Sequence, residues 1–218
     1  MNRLVRIVPL AGVAYFALEV AGNGSIGNFP DSDTPIAKLI PFYASHHAGI
    51  ARGGFLLHYA ALALALFLVG IWARARQTGA HTLVSGALLA GAAVTVAAAF
   101  AEAGVYSTLG FVGAHQSVIT PAALQAWHVN GAGGGATTGD GGLMIVLLAI
   151  SAASIAGGAL PRWLGWIALP LGLVQLTPLG FFGSLVFWVW AAVAGIYMAA
   201  RPHQSLGAPA RTSPVSYA

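Results

Sequence analysis

The chain has 218 residues, of which 58% are hydrophobic and 6% are charged, whereas a soluble domain carries roughly 25% charged residues. Nine basic and five acidic side chains cannot cover a surface of this size in water, which excludes an ordinary cytosolic enzyme, a disordered tail and a nucleic-acid binder. A polytopic helical membrane protein remains, and the absence of cysteine removes disulfides, thiolate metal sites and cysteine nucleophiles.

The composition predicts an all-α, polytopic membrane helical bundle of six transmembrane helices. Short interfacial or re-entrant helices are expected in its two outer loops. Residues 1–200 form one bundle domain and 201–218 a disordered cytoplasmic tail. The predicted spans are Leu4–Gly22, His47–Ala73, Gly79–Ala103, Thr138–Gly158, Pro161–Pro178 and Gly180–Ala200. Each is long enough, or nearly so, to cross roughly 30 Å of hydrocarbon as a helix. The first follows Arg3 and Arg6 like a signal peptide, but Glu19 interrupts the cleavage region and no A-x-A follows, so an uncleaved anchor is expected.

With the N-terminus inside, the inner loops hold Arg3, Arg6, Arg74, Arg76, Arg162, Arg201 and Arg211, against Lys38 and Arg52 outside. This bias predicts both termini in the cytoplasm. Arg outnumbers Lys, and Ala and Gly abound, a composition of high-GC bacterial coding; a multi-pass protein of the bacterial inner membrane is expected. The same topology gathers the acidic residues Glu19, Asp31, Asp33, Glu102 and Asp140 near the outer face. His46, His47, His58, His115 and His128 join them, while His81 and His203 lie inside.

In the first outer loop, Thr34-Pro35 reads as a helix start. Ile36–Ile40 would lie on the interface, with Phe42 and Tyr43 among headgroups and Pro41 breaking the chain before span two. His47 and His58 of span two lie within about 20° on one face but roughly 16 Å apart along the axis. They suit one cavity from rim to depth and not one metal ion. His58 sits near mid-membrane, where ionisable groups are costly and usually face the bundle interior, and is a candidate to line such a cavity. Arg52 needs a carboxylate, a carbonyl or a headgroup phosphate; Glu19 and Glu102 are the candidate carboxylates.

In span three, Gly91, Thr95 and Glu102 share a face, a small-residue stripe leading to a carboxyl. The long connection from Gly104 to Thr137 is a candidate lid. Within it Thr120-Pro121 starts a helix running to Asn130, either re-entrant or lying on the surface with Trp127 as anchor. Gln125 and His128 share one face of it. Residues 131–142 contain seven glycines in twelve residues. They form neither a dinucleotide fingerprint, since no strand precedes them, nor a P-loop, since no Gly-Lys-Ser/Thr follows. Asp140 opens span four, where capping and the helix dipole alone would favour it. Trp163 and Trp166 read as interfacial anchors, and Gln175, between Pro170 and Pro178, as a hydrogen-bonding group across the bundle.

The candidate catalytic residues are therefore Glu19, Glu102, Asp140, His58 and His128, since carboxyls and imidazoles in a partly dry pocket suit general acid–base work. The candidate substrate contacts are His47, Arg52, Gln125, Trp127 and Asn130. No motif demands a cofactor. A divalent metal remains compatible with the donor set, although no H-x-x-x-H, H-E-x-x-H or paired D-x-x-D is present.

The stretch Pro161-Arg162-Trp163-Leu164-Gly165-Trp166-Ile167, with the Gly-rich apolar span after it and Pro41-Phe42-Tyr43 before a histidine-bearing helix, resembles a family of small six-span bacterial membrane proteins of unknown function. That resemblance implies a layout and supplies no site. The Glu19, Asn23 and Ser25 spacing is similar to the first motif of alkaline-ceramidase-like hydrolases, whose later histidine motifs are absent. Size and isolated carboxylates are similar to small membrane terpene cyclases, without a shared motif. The expected partners are the lipid bilayer and a lipophilic small molecule such as an isoprenoid or lipid, undergoing cyclisation, isomerisation or hydrolysis. The alternatives are a small-solute or proton-coupled transporter and a non-catalytic accessory subunit.

Overall fold

A computed structural model describes residues 8–131 and 135–201, without the side chains of 135–139. The start of the first predicted span, Arg3, Arg6, Arg211, the tail from 202 onward and the side chains of Thr137 and Thr138 lie outside the described residues. A short 3-10 turn, Val8–Leu10, leads into α1 (Ala11–Ile26). Then follow α2 (Ile36–Gln77), α3 (Thr82–Ala114), a second 3-10 turn (Gln116–Val118), α4 (Pro121–Val129), α5 (Gly135–Gly157), α6 (Arg162–Val174) and α7 (Gly180–Ala200). Every regular element among the described residues is helical.

α2, α3, α5 from Asp140 onward, and α7 are long and apolar enough to cross a membrane. α6 has 13 residues and α1 has 16, about 20 Å and 24 Å of helix. Phe55, Tyr59, Leu62, Leu66 and Val69 are all exposed on α2. Their helical spacing makes one apolar stripe, which in a bilayer meets lipid and needs no protein partner.

Short connections make chain neighbours into packing neighbours. α1 packs on α2, α2 on α3, α3 on α5, α5 on α6, and α7 returns to α1, so six helices close a ring. α4 lies outside it, against α2 and α3. Close approach rests on small residues. A Cβ on Gly110 of α3 would come within 2.5 Å of Ala51 N on α2, and one on Gly142 of α5 within 2.8 Å of Thr95 N on α3.

Two apolar clusters result. The larger includes Phe67, Leu68, Ile71, Leu147, Ile150 and Phe187. The smaller includes Leu39, Tyr43, Ile50, Leu109, Val112 and Leu124, with Phe29 packed on it. At one end of the bundle, Arg74 Nη1 donates to Arg201 O at 3.0 Å. Both guanidiniums lie over the Tyr197 ring, at 5.7 Å and 5.3 Å from its centre. Glu19, Glu102 and Asp140 belong to the other end.

Two sequence expectations are corrected here. Pro41 does not break the chain: α2 runs through it for 42 residues, about 63 Å. Proline in the second turn forfeits one hydrogen bond to Ala37 O, near the helix end where water can reach that carbonyl. Burial of Leu39 and Tyr43 on either side, each fully inaccessible, outweighs that loss. Likewise residues 104–114 are not a loop. α3 continues through Ala114 for 33 residues, about 50 Å. Val105, Tyr106, Leu109 and Val112 are buried along it, an amphipathic stripe at helical spacing that packs on the extended part of α2. Both helices therefore exceed the roughly 30 Å hydrocarbon layer. With α4 and the α1–α2 loop their overhanging ends build a small second layer.

Candidate functional site

Glu19, Glu102 and Asp140 line one cavity of about 270 Å³. It lies between α1 and α7 on one side and α3 and α5 on the other, pairs that pack tightly within themselves and little across the gap. Glu19 stands at the fourth position after Tyr15 on α1, and Tyr106 at the fourth after Glu102 on α3. Both phenols line the cavity too, because side chains four apart on a helix share a face. Asp140 arrives from α5, whose Gly142 lies against Thr95; that crossing sets α5's first turns beside Glu102. Leu64, Leu143, Phe187 and Trp188 supply apolar walls.

The electrostatics are one-sided. Glu102 lies within Coulombic reach of Glu19 on one side and Asp140 on the other. Glu19 and Asp140 are half-buried and Glu102 is exposed to the opening. Among the described residues no Lys, Arg or His lines the cavity. Neutral groups give partial relief: Asn23 Nδ2 donates to Glu19 Oε2 at 3.2 Å and to Glu19 O at 3.0 Å. The remaining polar lining comes from Thr95, whose hydroxyl is committed to Gly91 O at 2.9 Å, and from Ser184, which donates to Gln175 Oε1 at 3.2 Å. Gln175 thus bonds from the end of α6 to α7.

The histidines lie elsewhere. His128 is fully buried in the second layer. Its Nε2–H donates to Asp31 O at 2.9 Å, which leaves Nδ1 to accept from Tyr43 Oη at 2.8 Å. Its ring stacks on Phe29 at 5.3 Å. These contacts fix α4 to α2 and to the α1–α2 loop, and they use both ring nitrogens. His58 is half-buried; its Nδ1–H donates to Gly54 O at 2.8 Å and its ring faces Phe100. His47 donates within its own helix to Ala44 O at 2.9 Å. Arg52, Trp127 and Asn130 are exposed, and Gln125 reaches Thr34 O at 3.4 Å. None of these seven lines the carboxyl cavity. Gly131, just beyond α4, does, and Tyr106 Oη donates to its carbonyl at 3.4 Å. α4 begins as its sequence announces, with Thr120 Oγ1 accepting from Ala123 N at 3.3 Å.

The expected cluster therefore divides into a carboxyl chamber and a histidine-pinned layer above it. Tyr15, Tyr106 and Ser184 are among the chamber residues that sequence reasoning did not single out. Two of them carried a signal, since each phenol stands four positions from a carboxyl already marked. Among the described residues no group of three His, Asp or Glu side chains has the spacing to hold one metal ion. The three carboxyls share a space without converging on a point. No family model, curated protein or solved structure matches the chain.

Proposed function

We propose that the protein is a membrane enzyme that performs acid–base chemistry on a lipophilic substrate bound in the carboxyl chamber. One observation carries the reading: Glu19, Glu102 and Asp140, from three different helices, open into one apolar-walled cavity. Cyclisation, isomerisation and hydrolysis of an isoprenoid or lipid all need a group that gives a proton and a neighbour that takes one. Glu102, within Coulombic reach of both other carboxyls, couples the set. The phenol of Tyr15 lines the same space, while that of Tyr106 is engaged with Gly131 O. Ligand pockets range over about 300–1,000 Å³, so a chamber of about 270 Å³ suits a small molecule or one end of a longer one.

Leu64, Leu143 and Phe187 line the chamber and belong to the contiguous larger core, so a polar route to the far end would have to pass through that core. This favours chemistry over transport. We further infer six membrane passes with both ends of the chain in the cytoplasm of a bacterium. Arg74, Arg76, Arg162 and Arg201 cluster at the end away from the chamber, as the positive-inside rule requires of a cytoplasmic face. The chamber then opens toward the outer leaflet.

The test compares lipid extracts from cells carrying abundant wild-type protein, Glu102→Gln and Asp140→Asn. A lipid species present with wild type and lost or reduced in both variants is expected. Identical extracts from all three would overturn the enzymatic reading.

A further inference from the structure

The chamber's lining specifies charge as well as polarity. Three carboxyl groups line it, and among the described residues no basic side chain does. The N-termini of α5 and α7 face this end, each worth roughly half a positive charge, so the lining attracts a cation only as far as its carboxyls ionise, and a bound cation is what would hold them ionised. A phosphate, diphosphate or carboxylate headgroup would find no basic side chain there to pair with. A neutral hydrocarbon would leave the carboxyls protonated and would gain nothing from their charge.

The walls narrow the choice further. Tyr15, Tyr106, Phe181, Phe187 and Trp188 put five aromatic rings around the same space. Aromatic faces attract cations, Trp best, when the charge lies within about 6 Å of the ring centre. The lining offers no ready cage for a metal ion: among the described residues no three Asp, Glu or His side chains converge on one point. An organic cation needs no such cage. Its charge is spread over a larger body, and its apolar surface matches Leu64, Leu143 and the rings.

We propose that the chamber's ligand is a lipophilic organic monocation, an ammonium head on an apolar body. This narrows the acid–base reading, setting aside phosphate-headed lipids and neutral isoprenoids as the substrate, and rests on it for the ligand's being a substrate. Binding itself requires only the carboxyls and the rings.

The experiment uses purified protein in nanodiscs of zwitterionic phospholipid with three probes. These are hexyltrimethylammonium, the uncharged carbon isostere 2,2-dimethyloctane, and hexanesulfonate. Saturable binding is read by equilibrium dialysis. Protection of Glu102 from a lipophilic carbodiimide is read by mass spectrometry. The ammonium alone is expected to bind saturably and to protect Glu102. Its affinity should fall at least about tenfold in Glu102→Gln and in Asp140→Asn, the size of loss that follows removal of a charge-assisted contact. Asp33→Asn, at an exposed loop position, should bind as wild type does. Gel-filtration profiles matching wild type show that the variants are folded, and two independent variants guard against the failure of one.

Binding of the isostere or the sulfonate as tightly as the ammonium would overturn the cation inference and leave the enzymatic reading standing. So would ammonium binding that neither variant weakens. Identical lipid extracts alongside intact ammonium binding would do the reverse.

Discussion

Tyr43 and His128, 85 residues apart, share a buried hydrogen bond of 2.8 Å, and the histidine's other nitrogen holds Asp31 O at 2.9 Å. One imidazole thus joins three segments of the second layer, α2, α4 and the loop between α1 and α2. In His128→Ala the Tyr43 hydroxyl loses its partner while remaining buried, and Asp31 O loses its donor. A stability loss of about 2–3 kcal/mol is expected, read as a lower thermal midpoint in detergent. Limited proteolysis should show new cleavage within 28–35 or 115–120. An unchanged midpoint and digest would show that the layer is held by packing alone.

Gly110 and Gly86 make a matched pair on α3. Gly110 lies against the Ala51 backbone, whereas nothing stands within 4 Å of a Cβ on Gly86. Gly110→Leu is expected to force α2 and α3 apart at a cost of about 1–3 kcal/mol or more. Gly86→Ala is expected to stabilise by roughly 0.5–1 kcal/mol through helix propensity. Thermal unfolding of both variants in one detergent checks the opposite signs.

Lipophilic and membrane-impermeant carbodiimides should label different carboxyls. The bilayer-soluble reagent is expected at Glu102 and Glu19, which line the apolar-walled chamber. The impermeant reagent is expected at Asp31 and Asp33, which are exposed in the loop. Peptide mapping of the adducts reads both. Equal labelling of all four by each reagent would mean that the chamber is not sheltered.

Gln175 is 2% exposed, and among the described residues its Nε2 has no hydrogen-bond partner. The donor is idle and only the oxygen is used, by Ser184, so Gln175→Met should change stability by less than about 1.5 kcal/mol. Gln175→Glu places a charge in the same site and should cost several kcal/mol. The two midpoints, compared with wild type, decide whether Gln175 is a packing residue.

The helical architecture was legible because hydropathy alone dictates it. Backbone groups in hydrocarbon must bond within their own segment, and α2, α3, α5 and α7 follow. Helix ends were less legible. The run from Val105 to Val112 has a helical stripe whose meaning depends on α2 being there to receive it, and α2 was expected to start later. The meeting of Glu19, Glu102 and Asp140 followed from topology, since alternating spans bring distant carboxyls to one end. His128 stood in the same sequence neighbourhood, yet which way α4 turns is decided by Phe29, Tyr43 and Asp31, contacts that no local pattern encodes. The phenols Tyr15 and Tyr106 were readable from their spacing to Glu19 and Glu102.

Tyr106 belongs to the chamber wall and to the second layer at once. Its ring meets Phe29 edge-on at 5.6 Å, and Phe29 in turn stacks on His128. The chamber wall is therefore joined to the second layer by three aromatic rings in series.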